Sequence, residues 1–227
     1  MPRPTIAFDL DGTLVDTAPD LLAALDATLE KEGLNPPDPH EARNYIGGGA
    51  RLMIERALAF NRVQFGKEKI NALLRTFLIH YEEHIADHSR AFTGVEHALD
   101  RLAAEGAILV VCTNKIERYA VKLLEALKLA QHFAFIAGSD TFAYKKPDPR
   151  HLTDSIERAG GDPECAVLVG DSETDVITAR AAEIPVVAVS FGYTDIPPAA
   201  LGADTLVHKF EDVPAAAMAL LARRKLA

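Results

Sequence analysis

Six short apolar runs that lack polar alternation are spread along this chain, at residues 6–8, 108–112, 133–137, 166–169, 186–189 and, more weakly, 205–207. A strand solvated on one face alternates apolar and polar residues, whereas a strand covered on both faces does not. Helical spacings lie between the runs: Val95, Leu99 and Leu102; Val121, Leu124, Leu127 and Leu129; Leu152, Ile156 and Ala159; Val176, Ile177 and Ala181. Strand followed by helix, repeated, points to an α/β fold with a Rossmann-like parallel sheet core covered by helices on both faces.

About a hundred residues separate the first run from the second, and they contain no convincing strand. Thr17-Ala18-Pro19-Asp20 reads as a capping box with an early Pro, opening a helix through Leu21, Leu22, Leu25 and Leu29 that Gly33 and Pro36-Pro37 terminate. A second helix is expected over 51–60. A third is expected over 67–88, with Ile70, Leu73, Leu74, Phe77, Leu78, Tyr81 and Ile85 on one stripe. The expected organisation is an α/β core from 1–16 and 89–227 and an α-helical cap domain over 17–88. Ligands of open α/β sheets bind beyond the carboxyl ends of the strands, so an insertion directly after the first strand is placed to act as a lid.

The bulk properties narrow the function classes. A chain of 227 residues with 48% hydrophobic content can bury a real core. A formal charge of −9 argues against nucleic-acid and membrane-surface partners, which are met by clustered Lys and Arg. An anionic substrate must then be held locally. Cys112 and Cys165 both sit in apolar stretches and read as core residues rather than a disulfide framework. No window approaches the roughly 18 apolar residues of a membrane helix, and MPRPTIAFDL lacks a signal-length apolar segment, so the expected compartment is the cytoplasm. The nucleotide-loop, dinucleotide and zincin motifs are absent.

The polar residues just past these apolar runs carry the chemistry. Asp9 and Asp11 come after the first, Thr113-Asn114-Lys115 after the second, and Gly170-Asp171-Ser172-Glu173-Thr174-Asp175 after the fourth, while Lys145-Lys146-Pro147-Asp148-Pro149 lies shortly past the third. All converge on one edge of a parallel sheet. Carboxylates gathered there raise one another's pKa or demand a cation. A set of oxygen donors without His or Cys suits a hard divalent ion, Mg2+ by default for phosphate chemistry. A carboxylate attacks a phosphoryl group only when the phosphate charge is neutralised, which a metal, a Lys and hydroxyl donors accomplish. The constellation reads as phosphoryl transfer through an aspartyl phosphate, with Gly12 and Thr13 forming a tight turn whose N–H groups meet phosphate oxygens.

FDLDGTLVD, VCTN, KKPDP and VGDSETD, in that order, resemble the four motifs of the haloacid dehalogenase superfamily, and the insertion after the first resembles its helical type I cap. The resemblance covers essentially the whole chain and implies residue roles. Asp9 is then the nucleophile, and Asp11 the general acid and base, whose main-chain carbonyl also faces the metal. Thr113 binds a phosphoryl oxygen with Asn114 beside it. Lys146, chosen over Lys145 because it directly precedes the Pro, neutralises charge. Asp171 ligates Mg2+ together with Asp9 and Asp11, and Asp175 completes the shell or orients Lys146. Asp16 and Asp148 receive no catalytic role.

The superfamily divides by cap and by single positions. Asp11 speaks against a haloalkanoate dehalogenase, which lacks that second aspartate. Lys67 and Lys69 lack the apolar setting a Schiff-base lysine of a phosphonatase needs. Stretches 16–21, 45–50, 92–95 with 113–115, and Phe191-Gly192-Tyr193 look most like phosphoglycolate phosphatases, which implies a small phosphorylated metabolite, 2-phosphoglycolate, as substrate. Gly48 and Gly49 ahead of Arg51 read either as an anion site for the substrate carboxylate or as a cap loop with a surface Arg. Sugar-phosphate mutases of the β-phosphoglucomutase type share all four motifs. A phospho-accepting regulator or an inactive homologue is the reading from another class, opposed by the intact Asp9 and Asp11. The apolar cap helices serve a homo-oligomer interface or the cap's own core equally well. His80, His84 and His88 recur on one helix but lack a completing ligand set.

Overall fold

The computed structural model describes residues 3–224. Their contacts divide them into a helical unit, Thr17–Arg90, and an α/β unit formed by the chain on either side of it. Eight strands occur in chain order: β1 Thr5–Phe8, β2 Val15–Asp16, β3 Arg90–Ala91, β4 Ile108–Cys112, β5 Phe135–Ala137, β6 Ala166–Gly170, β7 Val186–Val189 and β8 Thr205–Val207. Six of them form a parallel sheet in the order β5-β4-β1-β6-β7-β8, and β2 and β3 make a separate two-stranded sheet.

Every residue of β1, β4, β6 and β7 is buried, which is why these strands read as continuous apolar runs. The edge strands β5 and β8 are half-buried. On one face Ala7, Val110, Leu168 and Ala188 pack with Leu152, Ile156, Val176 and Ala179. On the other the Phe8 ring lies 6.1 Å from that of Phe210 and 6.2 Å from that of Phe133. The fifth strand starts at Phe135 rather than 133, because Phe133 closes a 3-10 turn onto Ala130 and gives its ring to Phe8.

The register brings the strand ends level. Phe8 pairs with Val111 on one side and Val169 on the other, so Asp9, Cys112 and Gly170 emerge together. Strands β4 and β6 flank β1 on opposite sides, and their connections leave in opposite directions. Open α/β sheets bind their ligands beyond the carboxyl ends at such a reversal.

The helical unit contains α1 Ala18–Glu30, α2 Pro39–Ala42, α3 Ala50–Phe60 and α4 Lys67–Glu83. Leu21, Leu25 and Leu29 of α1, Met53 and Ile54 of α3, and Leu73, Phe77 and Tyr81 of α4 are buried. Two expectations are corrected here. The capping box at Thr17 does not form: the Thr17 hydroxyl makes no cap bond, and the Asp20 carboxylate accepts instead from the N–H groups of His88 and Ser89 (3.0 and 2.7 Å) and the Ser89 hydroxyl (2.6 Å). Helix α4 stops at Glu83 instead of 88, its last helical bond running from the His84 N–H to the His80 carbonyl at 3.1 Å. The backbone donors at 88 and 89 are satisfied by Asp20 rather than by carbonyls four residues earlier. A further helix, α2, capped by Asp38 onto His40 at 2.9 Å, and a 3-10 turn Arg43–Gly48 lie where none was expected.

In the α/β unit the remaining helices are α5 Val95–Ala104, α6 Glu117–Ala126, α7 Pro149–Arg158, α8 Glu173–Ala181 and α9 Val213–Arg224. Among the described residues no helix is long and apolar enough to cross a membrane. Cys112 and Cys165 are both buried.

Candidate active site

Each acidic residue of the cluster is positioned by the end of an element. Asp9 directly follows β1 and Asp171 directly follows β6. Asp175 returns to the strand edge because it is the third residue of α8 in a capping box with Ser172: its carboxylate accepts from the Ser172 N–H at 3.1 Å and hydroxyl at 2.6 Å. Gly170 is required beneath it, since a Cβ there would sit 2.4 Å from Asp175 Cγ. One carboxylate oxygen from each of Asp9, Asp171 and Asp175 lies within 4.8 Å of the others. Among the described residues this is the only group of three or more acidic, His or Cys side chains so arranged.

Lys146 Nζ reaches this group at 2.6 Å from Asp175 Oδ1 and 3.0 Å from Asp9 Oδ1, and Lys146 is 2% exposed. Lys145 is exposed. Three buried carboxylates thus face one ammonium. Burial pushes the Asp9 carboxyl up to about 6, with Lys146 pulling it down and Asp175 and Asp11 pushing it further up. Burial raises Asp171 well above the usual carboxylate range, helped by the charges of Asp175 and Asp9 and opposed by bonds from Tyr193 N–H and Thr13. Burial works to lower Lys146, but Asp175 and Asp9 outweigh it and hold the ammonium charged well above its ordinary range. The surplus negative charge, oxygen donors alone and the spacing fit a hard divalent cation such as Mg2+.

Thr113 follows β4, is buried, and accepts the Lys115 N–H at 3.2 Å. Asn114 Nδ2 donates to the Lys146 carbonyl at 3.1 Å, which ties the loop after β4 to the lysine loop. Its Oδ1 is buried with no partner among the described residues. Gly12 and Thr13 are where the expectation fails. Gly12 has φ +83 and its N–H donates to the Val15 carbonyl (2.9 Å), while Thr13 N–H donates to Leu10 (3.3 Å). The turn consumes both donors internally. The contribution of Thr13 is its hydroxyl, donated to Asp171 Oδ1 at 2.8 Å.

The Asp11 side chain stands outside the three-carboxylate group and is gripped by Lys115, whose Nζ is 2.8 and 3.1 Å from its two oxygens. Lys115 is the residue sequence reasoning missed. The signal was present, because a lysine two positions past a buried strand, facing a carboxylate-rich edge, invites the argument that singled out Lys146. Tyr193 was noted only as part of a resemblance, yet its N–H donates to Asp171 Oδ2 at 2.6 Å.

Gly48, Gly49 and Arg51 belong to the helical unit. Gly49 (φ +86) precedes α3, and exposed Arg51 donates to Asn71 and pairs with Glu55 at 3.9 Å. The His80 and His84 rings lie 4.6 Å apart, and His84 pairs with Asp87 at 2.7 Å. Asp148, without a site role, caps α7 onto Arg150 at 3.0 Å.

Residues 6–189 match the family model described as haloacid dehalogenase-like hydrolase. A phosphoglycolate phosphatase of Mesorhizobium japonicum is 52% identical over 195 residues, covering 86% of each chain. One of Caulobacter vibrioides is 46% identical over 217 residues, covering 96% of this chain and 92% of its own. A crystal structure described as a predicted phosphoglycolate phosphatase from Haemophilus somnus 129PT superposes with a TM-score of 0.87 at 29% identity, covering 93% of this chain and 96% of that one.

Proposed function

The chain belongs to the haloacid dehalogenase-like hydrolases, and from that premise we propose that it hydrolyses 2-phosphoglycolate to glycolate and phosphate, with Mg2+ bound and an aspartyl phosphate as intermediate. The observation that carries the reading is the position of Asp9, whose carboxylate lies with Asp171 and Asp175 and 3.0 Å from the Lys146 ammonium.

Asp9, Asp171 and the Asp11 main-chain carbonyl would hold the ion, with Asp175 beside them. When bound it supplies the positive charge that lets an anionic phosphoryl group approach an anionic carboxylate. The Asp9 carboxylate forms a bond to phosphorus while the bond from phosphorus to the glycolate oxygen breaks, and Asp11 gives its proton to that oxygen. Asp11, now a carboxylate, takes a proton from water. The resulting hydroxide attacks phosphorus and displaces Asp9, releasing phosphate. Lys146 and the Thr113 hydroxyl hold the phosphoryl oxygens through both steps. A Ser172–Asp175 box and the Asn114 bond to Lys146 keep these groups in place before substrate arrives.

The substrate rests on the relatives, which are named for phosphoglycolate. The test is phosphate release from 2-phosphoglycolate, an aryl phosphate and glucose 1-phosphate, with Mg2+ and with chelator. We expect kcat/KM for 2-phosphoglycolate to lead by about a hundredfold and chelator to abolish turnover. A flat panel overturns the substrate. Interconversion of β-glucose 1-phosphate without phosphate release moves the reading to a mutase.

A further inference from the structure

Asp171 is closely confined on two sides. A Cβ on Gly12 would lie 2.4 Å from Asp171 Oδ2, and one on Gly192 would lie 2.2 Å from Asp171 Cβ and 2.3 Å from Oδ2. Gly192 has no left-handed φ to explain it, so close approach alone requires a glycine there. Between these two glycines the carboxylate accepts the Thr13 hydroxyl on Oδ1 (2.8 Å) and the Tyr193 N–H on Oδ2 (2.6 Å).

The segment that delivers that N–H is pinned at both ends. At one end the Phe191 ring packs 4.7 Å from that of Phe92 and 6.5 Å from that of Phe210. At the other, the buried Tyr193 side chain folds back over the nucleophile loop, its Cδ2 lying 2.9 Å from where a Gly12 Cβ would be, and its phenol donates to the Asp16 carboxylate in β2. A phenylalanine would fill the same volume. A buried phenol on a carboxylate adds direction, because an O–H taken from water must point at its partner.

We propose that Tyr193 is a positioning residue for the cation ligand Asp171, anchored through its phenol by Asp16. This inference rests on the reading of Asp171 as a metal ligand. Asp16 fixes the ring, the ring fixes the 191–193 backbone over Gly12, and the backbone N–H sets the orientation in which Asp171 presents its carboxylate. Outer groups that orient a ligand govern affinity at the ion as well as turnover.

The experiment is Mn2+ binding, followed by electron paramagnetic resonance and calorimetry without substrate, in wild type, Tyr193→Phe, Asp16→Ala, the double variant and Asp171→Asn. Tyr193→Phe and Asp16→Ala should each weaken Mn2+ about five- to tenfold, and the double variant should be no weaker than either alone. The Mg2+ concentration for half-maximal phosphate release should rise by the same factor. Mn2+ affinity within twofold of wild type in both single variants overturns the inference, as do losses that add in the double variant. Wild-type Mn2+ binding by Asp171→Asn would instead overturn the underlying reading of Asp171, which keeps the two failures apart.

Discussion

The Lys115 ammonium lies 2.8 Å from one carboxylate oxygen of Asp11 and 3.1 Å from the other, and Lys115 is 5% exposed at its side chain while Asp11 is 20% exposed. This grip links the loop after β4 to the loop after β1 and fixes the Asp11 carboxylate beside the three-carboxylate group. Truncation to Lys115→Met should lower kcat about tenfold or more with little change in KM, because Asp11, the proposed proton-transfer group, would be held loosely, which costs rate rather than binding. Lys115→Arg should recover part of it. Steady-state kinetics on both variants check this, and an unchanged kcat would remove Lys115 from the machinery.

Asp9→Asn should abolish phosphate release and leave the fold intact, since it removes the proposed nucleophile at nearly constant volume. Rapid acid quench with 32P-labelled substrate should show protein-bound phosphate in the wild type only. Turnover surviving in the variant would eliminate the aspartyl-phosphate route.

The Lys146 ammonium faces Asp9 and Asp175, at 3.0 and 2.6 Å. Lys146→Met leaves buried carboxylates without a partner and should cost about 3 kcal/mol of folding stability as well as activity. Denaturant unfolding of the metal-free protein measures it. A loss under about 1 kcal/mol would mean the carboxylates take up protons instead, at the pH tested.

The metal-free protein should lose stability as pH rises through the range in which the buried acids ionise. A carboxyl raised in the folded state binds its proton more tightly there than in the unfolded chain. Its stabilising share is present below about 3.8 and is gone above the folded value, which for Asp9 is about 6. Asp171→Asn removes one such acid while an amide can still accept the Tyr193 N–H and donate to Thr13. Its Tm should exceed that of the wild type by a few degrees near pH 7.5 and by less near pH 4.5. Mg2+ should close the gap at pH 7.5 by stabilising the wild type alone. Thermal melts at both values decide it, and a gap independent of pH would reject the cause.

In the helical unit, Asp20→Ala leaves the N–H groups of His88 and Ser89 and the Ser89 hydroxyl without their acceptor. The expected cost is about 2–3 kcal/mol, with faster amide exchange at 84–89 than elsewhere in the unit. Unchanged exchange there would show that the bonds are replaced.

Features that depend on local burial were legible in the sequence, and those that depend on distant partners were not. Burial on both faces forces an unbroken apolar run, so β1, β4, β6 and β7 could be read directly. The aspartates beyond β1 and β6 had to converge once the strands were parallel. The role of Asp20 could not be read, because it depends on a partner 68 residues away at His88.

The same division runs through the site. Residue type and spacing pointed to the carboxylate-rich edge, since a parallel sheet delivers the residues past its strand ends to one place, and the family resemblance chose Lys146 over Lys145. Only the tertiary structure decided that the Gly12 and Thr13 N–H groups close their own turn, that Lys115 holds Asp11, and that the Tyr193 N–H bonds to Asp171. Hydrogen-bond donors are assigned by the nearest acceptor in space. Local sequence limits which donors exist, and the packing of distant segments chooses among the acceptors.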